Sequence, residues 1–294
     1  MTSDVTQKVI NANDFKNGTV VTNVHNTGVF GTIDAPFNKV GSAENLETAL
    51  TNRFDDTAYY GVSSISSTDL KVWFKADSLT ALSDGDVVTT WSESSGNGTD
   101  ATQSTTSKKP VYKTAILGGK PVVRFDGTDD FLSTTNVALQ SHFTVFVVAS
   151  QTHSGTSNPF FFEHSANANS NDGFYVYGAS TSSLFKVRRT GHHAYDSAGD
   201  WFGFRDFAIG SFVYDGALVT RKNGVAISST VAGGSTVSDS STTAGLFLGS
   251  RNGGSLFFEG DLAELAIYND ALTTDQIQLV EKSLAGKYKI DMSI

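Results

Sequence analysis

The residues of this chain best suited to chemistry are its carboxylates, and three stand close together in Glu259-Gly-Asp261-Leu-Ala-Glu264. Two carboxylates roughly 5–5.5 Å apart can share the work of a retaining glycosidase, one as nucleophile and the other as acid and base. In a regular strand Glu259 and Asp261 share a face. Glu264 then points to the opposite one, with Ala266 and Tyr268, and only a bulge would bring it back. The spacing therefore argues against a catalytic trio, and no catalytic residue is assigned.

A second group of acids lies in turns. Glu93, Asn97 and Asp100 occupy a loop rich in Gly and Ser, and Asp126, Asp129 and Asp130 cluster at Asp-Gly-Thr-Asp-Asp. Calcium takes six to eight hard oxygens from such side chains and from carbonyls of tight turns. The same side chains in turns also cap backbone N–H groups, so a calcium site and a set of turn locks are both open. Ring chemistry is offered by Tyr195, Trp201, Phe202 and Phe204, in a stretch rich in Gly and Asp. Such rings either stack on sugar C–H faces or fill a core or subunit contact.

Other sites are excluded by pattern. His192 and His193 are adjacent and would face apart in a strand, and no His-x-x-x-His spacing exists for zinc. There is no nucleophile elbow and no phosphate-binding loop. With no cysteine, disulfides and thiolate metal sites are out. A net charge of −9 opposes a nucleic-acid surface. The first ten residues lack a basic region followed by an apolar stretch, so no signal peptide and no membrane insertion is expected.

The elements that would position these groups are strands. Twenty-eight Gly, only 4 Pro, 21 Phe and 39% hydrophobic residues suit many short strands joined by polar turns. The organising stretch is Gly119–Leu132, a strand at Val122–Phe125, a turn at Asp126-Gly127 and the start of another strand at Phe131-Leu132. Strands are also expected at Leu70–Lys75, Val87–Trp91, Phe160–Glu163, Gly173–Gly178, Leu184–Val187, Phe207–Tyr214, Leu246–Gly249 and Leu256–Tyr268. Phe143–Ser150 is apolar at both parities and reads as a central strand covered on both faces. Asn223-Gly224 predicts a hairpin between Leu218–Arg221 and Val225–Ser228. Thr273-Thr-Asp-Gln276 is a capping box that opens a C-terminal helix buried through Ile277, Val280 and Leu284. About a dozen closely spaced strands mean a sandwich or jelly roll.

Residues 1–66 differ from the rest. Short strand-like pieces at Thr19–Val24 and Val29–Ile33 precede a helical pattern whose apolar stripe is Leu46, Ala49, Leu50 and Phe54, with Ser42 as N-cap. We expect an assembly arm (1–66) followed by the sandwich domain (67–294).

Leu70–Asp77, Trp91 with Ser95–Gln103, Lys120–Leu132, Leu246–Asn252 and Gly260–Leu272 together resemble the laminin-G-like, concanavalin A-like lectin and glucanase jelly roll, over about residues 67–290. The Glu259–Glu264 segment is similar both to the Glu-x-Asp-x-x-Glu signature of that superfamily's glucanases and to the last strand of its non-catalytic members. The resemblance implies two antiparallel sheets, glycan or protein binding, and calcium in some members, although Glu93 stands where relatives usually carry Asp. The combined expectation is an all-β virion structural protein of a tailed bacteriophage, without enzymatic activity. It would be a capsid decoration or fibre-like protein on the virion surface, attached to capsid proteins and sister subunits through residues 1–66 as a homo-oligomer. The alternatives are a carbohydrate-binding module for host-surface glycans and, third, a glycosidase.

Overall fold

In the computed structural model, the described residues are 62–66, 68–140, 142–152, 158–165, 173–179, 182–189, 193–199, 205–227, 230–232 and 242–292, all within the unit Thr57–Ile294. The expected arm helix (Leu46, Ala49, Leu50, Phe54), the early strand-like pieces and the rings of Trp201, Phe202 and Phe204 lie outside them.

Two antiparallel sheets face each other. The first holds β14 (Val225–Ile227), β13 (Leu218–Lys222), β12 (Ala208–Tyr214), β7 (Phe143–Gln151), β17 (Glu259–Tyr268), β5 (Lys120–Asp126) and β4 (Val111–Leu117), in that order. One edge of β17 is shared. Its first half pairs with β5 and its second half with β1 (Leu70–Lys75). The second sheet runs β15 (Thr230–Ala232), β11 (His193–Gly199), β10 (Ser182–Arg189), β9 (Gly173–Ala179), β8 (Phe160–Ser165), β16 (Thr242–Leu248), β6 (Leu132–Leu139), β3 (Ala101–Thr102) and β2 (Thr90–Trp91). This is the jelly-roll sandwich the turn spacing implies.

The core between the sheets is aromatic. Phe143 stacks on Phe174 at 4.5 Å between ring centroids, and Phe185 on Phe212 at 4.1 Å. β7 is buried at every position, as its apolar run predicts. Phe143, Val145, Val147 and Ala149 enter the inter-sheet core, while Phe146 and Val148 enter a second core on the other side of the first sheet. That second core is covered by the C-terminal helix α2 (Thr274–Tyr288) and the short helix α1 (Val62–Ile65).

The start of α2 forms as its sequence dictates. Thr273 accepts from the Gln276 N–H, and the Gln276 side chain accepts from the Thr273 N–H. Ile277, Val280, Leu284 and Tyr288 are buried. Two ion pairs fix the helix to the sheet: Glu281 with Arg221 at 2.8 Å and Lys287 with Glu264 at 2.7 Å. Val62 and Ile65, from the stretch assigned by sequence to the arm, pack in this same core, and the Tyr268 hydroxyl donates to the Val62 carbonyl. At Asn223-Gly224 both residues take positive φ, 47° and 85°, which is the primed hairpin turn expected there.

Candidate functional site

The carboxylates of β17 are arranged differently from the simple alternation of a strand. The register slips between Leu262 and Glu264, a bulge that carries Glu264 back to the face of Asp261. That face is the one beneath α2. Asp261 is buried and forms a two-pronged pair with Arg124, at 2.7 and 2.9 Å. Buried Glu264 accepts from Trp73 Nε1 at 2.6 Å, Lys287 Nζ at 2.7 Å and the Tyr288 hydroxyl at 2.8 Å. Burial, with the Glu264 charge next, pushes the Tyr288 hydroxyl pKa well above its ordinary value. Asp261 ties β17 to β5, and Glu264 ties β17 to α2.

The loop after β2 locks itself. Glu93 Oε1 accepts from the N–H groups of Trp73 (2.7 Å) and Ser95, and Oε2 from that of Asn97 (3.2 Å). The Asn97 amide donates to the carbonyl of Leu70 at 2.8 Å, and Asp100 accepts from the Glu93 N–H at 2.8 Å. Of the six calcium candidates, these three are engaged in tying the loop to β1.

The other three come together. One carboxylate oxygen from each of Asp126, Asp129 and Asp130 lies within 4.8 Å of the others, the one such His/Cys/Asp/Glu group of three among the described residues. Asp126 caps the turn, accepting from the N–H groups of Thr128 (2.8 Å) and Asp129 (3.4 Å), while Asp130 accepts from the Asp126 N–H at 3.1 Å. Burial, then the neighbouring Asp126 charge, pushes Asp130 up to about 6. Three hard oxygens whose charges repel one another are a donor set that suits a calcium ion. Gly127 has φ of +76°, and a Cβ there would meet Glu259 Cβ at 2.7 Å, so the turn needs glycine.

Next to this turn lies a surface that the sequence reading did not single out. In β9, Phe174 and Val176 enter the core, so Tyr175 and Tyr177 face outward from the second sheet. Phe160 stacks on both, at 4.8 and 5.8 Å between centroids, and Leu256 packs against them. This third cluster is separate from the two larger cores; Phe160 and Tyr175 are buried in it, and Tyr177 and Leu256 are its half-buried members. Across the strands, register places Phe247, Glu163, Tyr175, Lys186 and Asp196 in one transverse row. Tyr195 is on β11, opposite Val187 and Val231.

Glu163 is fully buried. It accepts from the Ser165 hydroxyl and, at 2.7 Å, from the Asn252 N–H. Burial raises its pKa, opposed by those hydrogen bonds and by the Arg251 charge. Through Asn252 it holds the loop that follows β16. Gly253 of that loop sits so near Phe131 and Phe247 that a Cβ would lie 3.0 and 3.3 Å from their rings. Phe131 follows Asp130 directly, so the acid cluster, the loop and the aromatic cluster form one continuous rim. The signal that could have found it is the Tyr175-Val176-Tyr177 alternation, outward rings on a strand whose other face is core.

The model of the concanavalin A-like lectin/glucanases superfamily matches residues 126–278. No curated protein sequence matches this chain. Among solved structures, the chain is similar to domain 4 of AbnA, an extracellular arabinanase from Geobacillus stearothermophilus, in complex with arabinotriose. The TM-score is 0.52 at 17% identity, over 73% of this chain and 98% of that one. It is also similar to the receptor binding domain of botulinum neurotoxin D, with a TM-score of 0.55 at 7% identity over 74% of this chain. The binding domain of Paraclostridial Mosquitocidal Protein 1 gives 0.51 at 12% identity over 74% of this chain. The match spans 53% of each toxin structure's own length. Identities this low speak to the fold. With the family model covering the strands from Asp126 into α2, and two sheets arranged as that fold requires, the chain belongs to the concanavalin A-like lectin/glucanases superfamily.

Proposed function

We propose that this chain is a non-enzymatic, lectin-like protein that binds glycans on the outward face of its second sheet. The observation that carries the reading is half-buried Tyr177, backed by the stacked buried rings of Phe160 and Tyr175, with Lys186 beside Tyr175 in register. Aromatic faces beside fixed polar groups are what sugar rings need from a combining surface. The arabinanase domain of the same fold was solved with arabinotriose bound, and the toxin domains are described as receptor binding or binding domains, which supports the reading. The absence of catalysis is proposed from the engagement of Asp261 with Arg124 and of Glu264 with Lys287. Asp126, Asp129 and Asp130 would hold calcium, which would neutralise their charge and stiffen the rim. The test is a glycan array with wild type and Tyr177→Ala, the melting temperature serving as the folding control. Binding lost in the variant supports the reading, and an array without any binding by wild type refutes it.

A second reading concerns where the module is displayed. A virtually complete solved domain is matched by 73% of this chain, so the chain carries material beyond one such domain. We assign the leading residues, with the stripe Leu46, Ala49, Leu50 and Phe54, to attachment on a phage virion, to capsid proteins or sister subunits, as a decoration or fibre-like homo-oligomer. Deleting residues 1–54 should release the protein from purified particles. Retention on the particle would count against this reading.

A further inference from the structure

Arg251 is a half-buried cation in an acidic protein, and among the described residues its guanidinium has no hydrogen-bond or ion-pair partner. Its charge acts on Glu163, in the transverse row of the outward sheet face beside Tyr175. A guanidinium offers five donors in a fixed plane that matches a carboxylate two-pronged, so leaving it unpaired and half out of water is unfavourable.

The loop that carries Arg251 is held in a costly shape. Asn252, Gly253 and Leu256 all have positive φ, at 49°, 67° and 52°, and for a residue as large as Leu256 that region is an outlier. The shape persists because it is fixed at several points. The Arg251 N–H donates to the Ser255 carbonyl at 2.9 Å, the Gly253 N–H to Ser250 Oγ at 3.1 Å, and the Asn252 N–H to the buried Glu163 carboxylate at 2.7 Å. Strain over-determined in this way is found at binding sites, where it pre-organises a recognition group. Leu256, at the far end of the loop, packs on the Phe160–Tyr175 pair, so the guanidinium and the aromatic cluster share one support.

From this we infer that Arg251 is the specificity-determining residue of the combining surface, and that its ligand is a glycan bearing a carboxylate, its ring on the aromatic cluster and its acid group on the guanidinium. This rests on the glycan-binding reading. Two sugar classes carry that chemistry, the uronic acids and the nonulosonic acids such as sialic acid.

The experiment is isothermal titration of the full chain with trigalacturonate and with sialyllactose. Each is compared with its counterpart in which the carboxyl is reduced to an alcohol. The inference expects one of the two acids to bind and to lose about tenfold or more in affinity on reduction, the worth of one charge-assisted pair. Arg251→Ala should lose the acid preference while keeping residual affinity for the reduced sugar, with the wild-type fold retained by circular dichroism. Arg251→Lys should restore part of it, since it keeps the charge without the planar fork. Equal binding of acid and reduced forms, or an acid preference that survives Arg251→Ala, overturns the inference and leaves the glycan-binding reading standing. If neither these ligands nor any arrayed glycan binds wild type, the inference falls together with that reading.

Discussion

Replacing Glu264 with alanine tests the assignment of this carboxylate to structure rather than catalysis. The side chain is 2% exposed and accepts three hydrogen bonds, from Trp73 at 2.6 Å, Lys287 at 2.7 Å and Tyr288 at 2.8 Å. Removing it takes a partner from three donors, of which Tyr288 keeps only the Ala263 carbonyl at 3.4 Å. Lys287 keeps only Asp77, at 3.1 Å. An orphaned buried donor costs about 1–3 kcal/mol, and removing one partner of a buried ion pair about 3–5 kcal/mol, with much overlap between the two. The expected loss is therefore about 4 kcal/mol. In urea, with a slope of roughly 2–3 kcal/mol per molar, the unfolding midpoint should fall by about 1.3–2 M at unchanged slope. Glu264→Leu combined with Lys287→Met removes both charges and should lose less than Glu264→Ala alone, because no uncompensated ammonium remains. A loss below about 1 kcal/mol for Glu264→Ala, or a double variant worse than the sum of its parts, would refute the reasoning.

Further outcomes follow from other particulars. Asp130 holds its proton up to a pH of about 6, against an ordinary value of 3.8, so its contribution to stability is full at low pH and is lost as pH rises through 6. Melting temperatures between pH 4 and 7 should show this slope in wild type and a flatter one in Asp130→Asn, and a slope unchanged by the substitution would contradict the assignment. Gly249 has φ of +84°, and a Cβ there would meet the Phe125 ring at 2.3 Å, so Gly249→Ala should lose about 2–4 kcal/mol in the same urea experiment. Thr273→Ala removes one half of the capping box and should cost about 1 kcal/mol, a drop of about 2–4 °C by calorimetry.

What the sequence could convey was set by the range of the forces involved. Local signals held: the capping box at Thr273, the primed turn at Asn223-Gly224, and the double-sided apolar run of β7 each depend on a few adjacent residues. β4 (Val111–Leu117) is not among the strands expected from sequence, because its Lys113 and Leu117 pair with β5 across an irregular register that no local pattern encodes. The bulge before Glu264 was likewise invisible, since it arises where β17 changes partner from β5 to β1 along one edge. The acid cluster was legible because its members are neighbours in sequence. Glu163 and Asn252 are far apart in the chain and meet only through the pairing of β8 with β16, so the rim they build could not be read without the fold. The paired tyrosines at 175 and 177 were within reach, and were passed over for the more conspicuous tryptophan at 201.

The central claim, a glycan seated on the outward face of the second sheet, is tested most directly by a crystal structure of the full chain with the array's best-bound oligosaccharide. The account predicts a sugar ring in van der Waals contact with half-buried Tyr177 and a polar contact to Lys186, its neighbour on the same sheet face. An oligosaccharide bound on the α2 side of the molecule, or at the Glu93–Asp100 loop, would contradict it.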